Sequence, residues 1–292
     1  MVRALLGGIV ALAALYVALG FILWWQQDRL FYPAPTTHGD LPGGAERVRL
    51  QTDDGLTLDA AWYPGDIDKP AVLHFHGNGG NLEGASVETA LLRENGYPAL
   101  LVTYRGYGTN PGTPSEEGFY RDGRAALAHL RAKGYGPSRV IVSGNSIGSG
   151  TAVQIALEAG PAALVLTSPF TSLPDVAAAK MPFYPVRSMM RDRFDNRAKI
   201  GRIAAPTLIV HGAGDTLVPA AMGKRLADAS SSADFVLVPG IGHDLTFHPR
   251  PQRIVLDWLD RQQNARSAEP APDARRHSSD RSVQPADRQP QD

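Results

Sequence analysis

The chain has 292 residues, of which 29 are basic (Lys or Arg) and 29 are acidic (Asp or Glu). This balance gives no net field that would attract a polyanion, so we expect no nucleic-acid partner. The chain contains no cysteine, which excludes disulfides, thiol catalysis and cysteine-ligated metal. No spacing of histidine and carboxylate residues suggests a zinc site, and we expect neither a metal nor another cofactor.

The first predicted element is an apolar segment of 22 residues, Ala4 to Trp25, without a charged side chain. As a helix it would span ~33 Å, which is close to the hydrocarbon thickness of a bilayer. Trp24 and Trp25 at its end suit the headgroup boundary, where aromatic rings are favoured. We therefore expect a membrane anchor over residues 1–27.

The alternative to an anchor is a signal peptide that is cleaved near Ala18-Leu19-Gly20. Against it, the apolar run exceeds the usual signal-peptide core of about 7 to 15 residues, and only Arg3 is basic before it. Arg3 and the terminal amine place positive charge before the apolar segment. After the segment the nearby positive charge is that of Arg29, which Asp28 partly cancels. We expect an uncleaved anchor, with the remainder of the chain on the non-cytoplasmic side of the membrane.

Residues 28–45 form a Pro/Gly-rich connector, after which strand and helix patterns alternate. Arg47–Gln51 and Thr57–Trp62 flank Asp54-Gly55, which predicts an antiparallel hairpin. This organisation predicts one α/β domain over residues 46–261, with an eight-stranded, mostly parallel sheet and helices on both faces. The six strands predicted after the hairpin are 71–75, 99–103, 140–143, 163–167, 208–210 and 235–238.

The motif Gly144-Asn145-Ser146-Ile147-Gly148 joins a predicted strand to a helical run from Gly150 to Glu158. This is the strand, sharp turn and helix in which a G-x-S-x-G serine becomes a nucleophile. Glycines are needed beside the serine because side chains there would collide with the strand and helix. An ordinary Ser-Gly turn is the alternative for so short a motif. In this context we expect Ser146 to be the nucleophile.

A serine nucleophile needs a base, and the base needs a third group to orient it. Asp215 lies on the loop after the strand at 208–210, and His243 follows the strand at 235–238 through a Gly-rich turn. Because the carboxyl ends of parallel strands share one edge of a sheet, the three side chains are expected to meet there. Ser, Asp and His in this order are typical of an α/β-hydrolase triad.

Each member of this predicted triad has an ordinary structural alternative. Asp215 is also a suitable N-cap for a helix at 219–229, and His243 alone would suit a solvated loop. Asp244 and His248 are rival candidates, although neither directly follows the strand and its Gly-rich turn. If every alternative were true, a serine, an aspartate and a histidine would each follow a strand, in the expected order, by coincidence.

A Gly-rich turn, His76 to Asn81, follows the predicted strand 71–75 and suits an oxyanion hole. Backbone donors that bind the developing oxyanion stabilise the transition state by about 3 kcal/mol each. We expect the amide of Asn78 to be one donor and the amide of Ile147 to be the second. A Gly-rich turn without chemistry is the alternative.

Two segments lie outside this pattern. Residues 172–203 are rich in Met and aromatic residues, and we expect a short cap above the nucleophile. Its apolar side chains would either form a wall for an acyl chain or only pack the cap onto the sheet. Residues 262–292 are rich in Gln, Ser, Pro, Asp and Arg, and we expect a disordered tail.

Six motifs are spread over roughly residues 46–260. They are His76–Asn81, Tyr104–Gly108, Gly144–Gly148, Ser168–Ser172, His211-Gly212-x-x-Asp215 and Gly242-His243. Together they resemble the Bem46-like α/β-hydrolases, and the resemblance implies a serine hydrolase. Many members of that family are membrane-anchored, and the family is similar to α/β-hydrolase-domain enzymes that remove palmitate from protein cysteines. Tyr104–Gly108 is then interpreted as a loop that supports the site.

These expectations converge on a serine hydrolase that cleaves carboxylic ester or thioester bonds of hydrophobic acyl substrates. Two alternatives remain open at the level of sequence. A serine peptidase or amidase would use the same triad, and a membrane-tethered binding protein would leave its ligand unchanged. The sequence predicts neither the natural substrate nor the oligomeric state.

Overall fold

The computed structural model describes residues 1–37 and 43–268, and its centre is one eight-stranded sheet. All eight strands lie where the sequence predicts them, with bounds that differ by a few residues. They are β1 (Glu46–Gln51), β2 (Thr57–Tyr63), β3 (Ala71–Phe75), β4 (Ala99–Val102), β5 (Val140–Asn145), β6 (Ala163–Thr167), β7 (Thr207–Gly212) and β8 (Ala233–Val238).

The strands follow the spatial order β1-β2-β4-β3-β5-β6-β7-β8. β2 is antiparallel to both of its neighbours, β1 and β4, and the other pairs are parallel. Only β2 therefore runs against the common direction, which confirms the predicted α/β-hydrolase sheet. The carboxyl ends of β3, β5, β7 and β8 lie at one edge, where sites form in such sheets.

Helices cover both faces of the sheet. Successive residues of a strand point to opposite faces, and β5 shows this directly, since Val140 and Val142 pack into one buried cluster and Ile141 into the other. The helices are α1 (Val2–Trp25), α2 (Gln27–Phe31), α3 (Leu82–Glu88), α4 (Ala90–Glu94), α5 (Glu116–Ala132), α6 (Gly148–Ala159), α7 (Leu173–Lys180), α8 (Val186–Met189), α9 (Asn196–Ile200), α10 (Ala220–Asp228) and α11 (Pro249–Ala268).

The N-terminal helix α1 differs from every other helix because its apolar side chains are exposed rather than packed on the sheet. It is 24 residues long, and its length and composition are sufficient to cross a membrane. Gly20 is its buried residue, and a Cβ on Gly20 would lie 3.3 Å from the ring of Tyr184. The helix therefore meets the α/β domain along one narrow line of contact.

The connector after α1 is more ordered than its Pro/Gly content predicts. It begins within the short helix α2, and Tyr32 is only 6% exposed. The ring of Tyr32 packs edge-on against Phe119 with centroids 5.4 Å apart. The first part of the connector is thus packed onto the domain, while residues 38–42 lie outside the described residues.

The sequence predicts a disordered tail from residue 262, whereas α11 continues to Ala268. The side chain of Gln263 donates a hydrogen bond to the hydroxyl of Tyr97 (2.7 Å), which in turn lies 3.1 Å from the carboxylate of Asp260. Polar side chains at this end of the helix thus bind the domain surface, and their polarity gave no indication of that packing. Residues 269–292 of the predicted tail lie outside the described residues.

Candidate active site

The turn between β5 and α6 holds Ser146 in a left-handed conformation with φ of 50°. Strain of this kind is uncommon for a residue with a side chain and persists only where the surroundings impose it. A Cβ on Gly144 would lie 2.5 Å from the carbonyl oxygen of Gly148, and one on Gly148 only 2.1 Å from that of Phe75. The two glycines of the motif are therefore required by backbone packing, as the sequence predicts.

The structure brings Ser146, His243 and Asp215 together from the ends of three strands. The hydroxyl oxygen of Ser146 is 2.9 Å from Nε2 of His243. Nδ1 of the same imidazole is 2.7 Å from Oδ2 of Asp215. Ser146 is 8% exposed, whereas the imidazole of His243 is 27% exposed. The arrangement therefore places a base between a serine and a buried carboxylate.

Asp215 is held by four donors. Its Oδ1 accepts hydrogen bonds from the amides of Leu217 (2.9 Å) and Val218 (2.8 Å), and its Oδ2 faces His243 and His211. Burial alone would raise the pKa of this carboxyl, but the hydrogen bonds outweigh it and lower the pKa well below its usual range. Asp215 is thus ionised near neutral pH and accepts a hydrogen bond from the Nδ1–H group of His243.

The ordinary alternatives for these residues do not match the geometry. Pro219, not Asp215, is the N-cap residue of α10, and the helix start has no side-chain cap. His248 lies 3.4 Å from Asp244, and both side chains are largely exposed. The rival acid and base therefore pair with each other on the surface, away from Ser146.

The predicted oxyanion loop lies directly beside the serine. A Cβ on Gly77 would be 3.6 Å from the Cβ of Ser146. Within residues 1–37 and 43–268, the amides of Asn78 and Ile147 donate to no protein acceptor. Both amides are therefore available to a substrate oxygen.

The side chain of Asn78 fixes this loop from outside. Its amide group donates to the carbonyl oxygen of Phe31, and its Oδ1 accepts the hydroxyl proton of Tyr107. Burial raises the pKa of Tyr107, so the phenol stays protonated and can donate. Tyr107 belongs to the Tyr104–Gly108 motif, and its hydroxyl also accepts the amide of Gly79. The motif thus supports the oxyanion loop.

The rest of that motif is also structural. Tyr104 donates to the carbonyl oxygen of His76 (2.8 Å). The guanidinium of Arg105, 8% exposed, forms ion pairs with Asp122 (2.8 Å) and Asp54 (2.7 Å). These contacts anchor the loop to α5 and to the hairpin turn.

Sequence reasoning missed a second histidine at the acid. Nε2 of His211, which is fully buried, lies 3.2 Å from Oδ2 of Asp215 and 2.9 Å from the carbonyl oxygen of Val218. Both neighbours are acceptors, so this nitrogen carries the proton. The only signal in the sequence was the spacing His211-Gly212-x-x-Asp215.

A polar network beneath the nucleophile was missed as well. The side-chain amide of Asn145 lies 3.1 Å from the hydroxyl of Thr246 and 3.3 Å from Glu88. Glu88 also binds His74 (2.9 Å), and both side chains are 3% exposed. The network links the residue before Ser146 to the loop that carries His243. No pattern in the sequence joins these positions.

The cap insertion between β6 and β7 contains α7, α8 and α9. Its last part packs on the start of α6, where the ring of Phe194 would lie 2.3 Å from a Cβ on Gly150. Its middle part, from Phe183 to Met189, contacts α1 and α2. Four apolar cap residues, Met181, Val186, Met189 and Met190, line a cavity there.

Comparison with known proteins identifies relatives of this chain. A family described as "Serine aminopeptidase, S33" matches residues 67–190. The chain is 40% identical to an uncharacterized protein of Mycobacterium tuberculosis strain H37Rv, over 81% of this chain and 87% of the relative. It is 31% identical to protein bem46 of Schizosaccharomyces pombe, over 73% of this chain and 77% of that protein.

A further relative is lysophosphatidylserine lipase ABHD12 of Danio rerio, 29% identical over 65% of this chain and 54% of that protein. Among solved structures, an α/β-hydrolase from Vibrio vulnificus has a TM-score of 0.68 at 22% identity, covering 81% of this chain and 92% of that chain. The esterase Pf2001 of Pyrococcus furiosus has a TM-score of 0.64 at 21% identity, over 78% and 96%. The chain belongs to the Bem46-like α/β-hydrolases.

Proposed function

We propose that this protein is a membrane-anchored serine hydrolase that cleaves carboxylic ester or thioester bonds of acyl substrates. The observation that carries the proposal is the chain of contacts from Ser146 through His243 to Asp215, with distances of 2.9 and 2.7 Å. Nucleophile, base and orienting carboxylate within hydrogen-bond reach are what acyl transfer by serine requires.

In the proposed mechanism, Nε2 of His243 removes the Ser146 proton as the hydroxyl oxygen attacks the acyl carbonyl. Asp215 accepts the Nδ1 hydrogen bond and stabilises the imidazolium. The amides of Asn78 and Ile147 bind the oxyanion. His243 then returns its proton to the departing alcohol or thiol, which leaves an acyl-enzyme. Water, deprotonated by His243, releases the acid and restores Ser146.

Two observations favour acyl esters or thioesters over peptides. Apolar Met and Val side chains of the cap line the cavity beside the connector. The relatives with named activities include a lysophosphatidylserine lipase and an esterase. A peptidase is the second candidate, because the matching family is described as a serine aminopeptidase. Amide turnover measured beside ester turnover separates the two.

The anchor is part of the proposal. We infer that α1 remains in the membrane, with the catalytic domain on the non-cytoplasmic side, because Arg3 and the terminal amine favour a cytoplasmic N-terminus. A single Cys introduced at exposed Ile67 of this cysteine-free chain tests the topology. Labelling of intact cells by an impermeant maleimide is expected, and labelling only after lysis would reverse the orientation.

The catalytic proposal is tested on the full-length protein in nanodiscs with matched oxygen esters and thioesters of increasing acyl length. Ser146→Ala should remove turnover and labelling by a fluorophosphonate, whereas Ser231→Ala, at an exposed position, should preserve both. A binding protein would show neither turnover nor labelling. Turnover retained by purified Ser146→Ala would overturn the assignment.

A further inference from the structure

An open cleft of about 520 Å³ lies between the cap and α10. This volume is within the range of pockets that bind small molecules. Helices α7, α8, α9 and α10 line the cleft. It carries three arginines, Arg187, Arg197 and Arg225, and one carboxylate, Asp175. We call it the arginine cleft.

The arginine cleft has an excess of positive charge. Three guanidinium groups against one carboxylate leave a formal charge of +2, whereas the whole chain carries 29 basic and 29 acidic residues. Asp175 pairs with Arg187 and also accepts the hydroxyl proton of Thr171 (2.6 Å). Within the described part of the chain, the guanidinium groups of Arg197 and Arg225 form no hydrogen bond or ion pair. Both are therefore available to an anion.

The backbones that carry these arginines are held in place by contacts with other elements. The amide of Arg197, at the start of α9, donates to the carbonyl oxygen of Thr171 before α7 (3.0 Å). At the other end of α7, Lys180 donates to the carbonyl oxygen of Thr216, in the loop that leads to α10. The cap and α10 are thus tied together through α7. A guanidinium presents a planar pair of donors that matches two phosphate oxygens.

The rest of the lining is apolar. It consists of Ala178 and Ala179 on α7 and Met222 on α10. Side chains as small as alanine leave the space above them to a ligand, and inorganic phosphate alone would leave most of the cleft unfilled. The lining therefore suits a larger molecule that carries a phosphate beside an uncharged portion.

The arginine cleft begins next to the proposed membrane anchor. Arg187 stands on α8, and the carbonyl oxygen of Met189 at the end of this helix accepts a hydrogen bond from the side chain of Gln27 (3.5 Å). Beyond α8, the guanidinium of Arg191 lies 4.5 Å over the ring of Trp24. Trp side chains at the end of a membrane helix lie at the level of the lipid headgroups. With α1 in a bilayer, α8 therefore lies at the depth of the lipid phosphates.

We propose that the arginine cleft binds the headgroup of an anionic membrane lipid, with the lipid phosphate between Arg197 and Arg225 and the uncharged part of the headgroup on the alanines of α7. No member of the triad lines the cleft, so the lipid is bound there and not cleaved. Its binding holds the cap on the bilayer surface beside α1. The inference rests on the proposed anchor and does not depend on the proposed catalysis.

The first test measures lipid retention by the full-length protein in neutral detergent. Native mass spectrometry compares phosphatidylglycerol, an anionic lipid, with phosphatidylcholine, which has a phosphate but no net charge. The Ser146→Ala background removes turnover, so a failure of the proposed catalysis does not alter the result. We expect phosphatidylglycerol to be retained, and its affinity to fall about tenfold in Arg197→Gln/Arg225→Gln.

Arg49→Gln/Arg131→Gln is the matched control, because it removes the same charge from two exposed arginines of β1 and α5. β1 lies at the opposite edge of the sheet from β8. The control should retain phosphatidylglycerol as the Ser146→Ala protein does. Equal retention by the control and by the folded cleft variant would overturn the site.

A second cleft variant, Arg197→Lys/Arg225→Lys, separates charge from geometry. It keeps both charges but loses the paired donors, so we expect the affinity for phosphatidylglycerol to fall about threefold. Circular dichroism checks that both cleft variants are folded. Undiminished retention by the lysine variant together with the glutamine variant would also overturn the site.

A competition experiment identifies the source of the phosphate. Inorganic phosphate in excess should not release phosphatidylglycerol, because the lipid headgroup also contacts the apolar lining. Binding of inorganic phosphate by a protein that retains no phosphatidylglycerol would assign the cleft to soluble phosphates and overturn the lipid site. Equal retention of phosphatidylglycerol and phosphatidylcholine would show that the charge of the cleft does not select the lipid, and would overturn it as well.

Discussion

The two halves of the candidate site are built by different means. The triad half is held by backbone packing and strand ends. The neighbouring carbonyl groups leave no room for a Cβ on Gly144 or Gly148, and Asp215 and His243 follow adjacent strands. The oxyanion half is held by groups from other parts of the chain. The Asn78 side chain accepts a hydrogen bond from the Tyr107 hydroxyl and donates one to the backbone carbonyl of Phe31. The first half is therefore rigid by construction, whereas the second depends on the docked connector.

The largest expected effect comes from breaking the triad half at its backbone. In Gly148→Ala the new Cβ would meet the carbonyl of Phe75 at 2.1 Å, so we expect a loss of about 3 kcal/mol in stability and activity below detection. Thermal unfolding and ester turnover measure this. Gly136→Ala, whose Cβ meets nothing within 4 Å, is the control. A variant with wild-type Tm would contradict the packing argument.

A chemical change in the same half should be nearly as severe for turnover while preserving the fold. Asp215→Asn cannot hold the Nδ1–H tautomer of His243, and we expect kcat to fall by about 10⁴-fold. Steady-state kinetics and circular dichroism measure the two effects. Asp228→Asn, at a surface position 59% exposed, should behave as wild type. A fall of less than tenfold would remove Asp215 from the triad.

The oxyanion half should fail more gently. Tyr107→Phe removes the hydroxyl that binds Asn78 and Gly79, and we expect kcat to fall about tenfold with little change in KM, because the donors shift but remain. Tyr63→Phe is a matched control, since the Tyr63 hydroxyl has no partner within the described part of the chain. Equal kinetics for the two variants would show that Tyr107 has no positioning role.

The smallest expected effect is on acid stability. Folding lowers the pKa of Asp215 because hydrogen bonds to the carboxylate outweigh burial. Its contribution is therefore complete above the unfolded pKa of about 3.9 and is lost as pH falls toward the lower folded value. The Tm difference between wild type and Asp215→Asn should shrink below pH ~4. A difference that grows on acidification would contradict the direction of the shift.

That Ser146, Asp215 and His243 lie close together could be predicted from the sequence, because the determinants of their positions are local. Strand, Gly-rich turn and functional residue follow one another at Ser146, Asp215 and His243, so pattern and period were sufficient. The sheet was predicted for the same reason, from short apolar runs between helices.

The remaining features join residues that are distant in sequence. Phe31 and Asn78 are 47 residues apart, and Tyr16 meets the cap 167 residues later. His211 beside Asp215, and Asn145 with Thr246, form contacts that exist only after the sheet assembles. Helix α11 continues past residue 261, where the sequence predicts the end of the domain. The contact of Gln263 with Tyr97 is made by polar side chains, so no apolar pattern indicated this last part of the helix.

The contacts of α2 and of Tyr32 with the catalytic domain all lie after Gly20. Proteolysis within the Ala18–Gly20 segment would therefore release a water-soluble enzyme that keeps the Phe31 carbonyl on Asn78. Shedding from the membrane would change which substrates such an enzyme reaches without dismantling its catalytic apparatus. The docked connector makes the active site independent of the helix that tethers it.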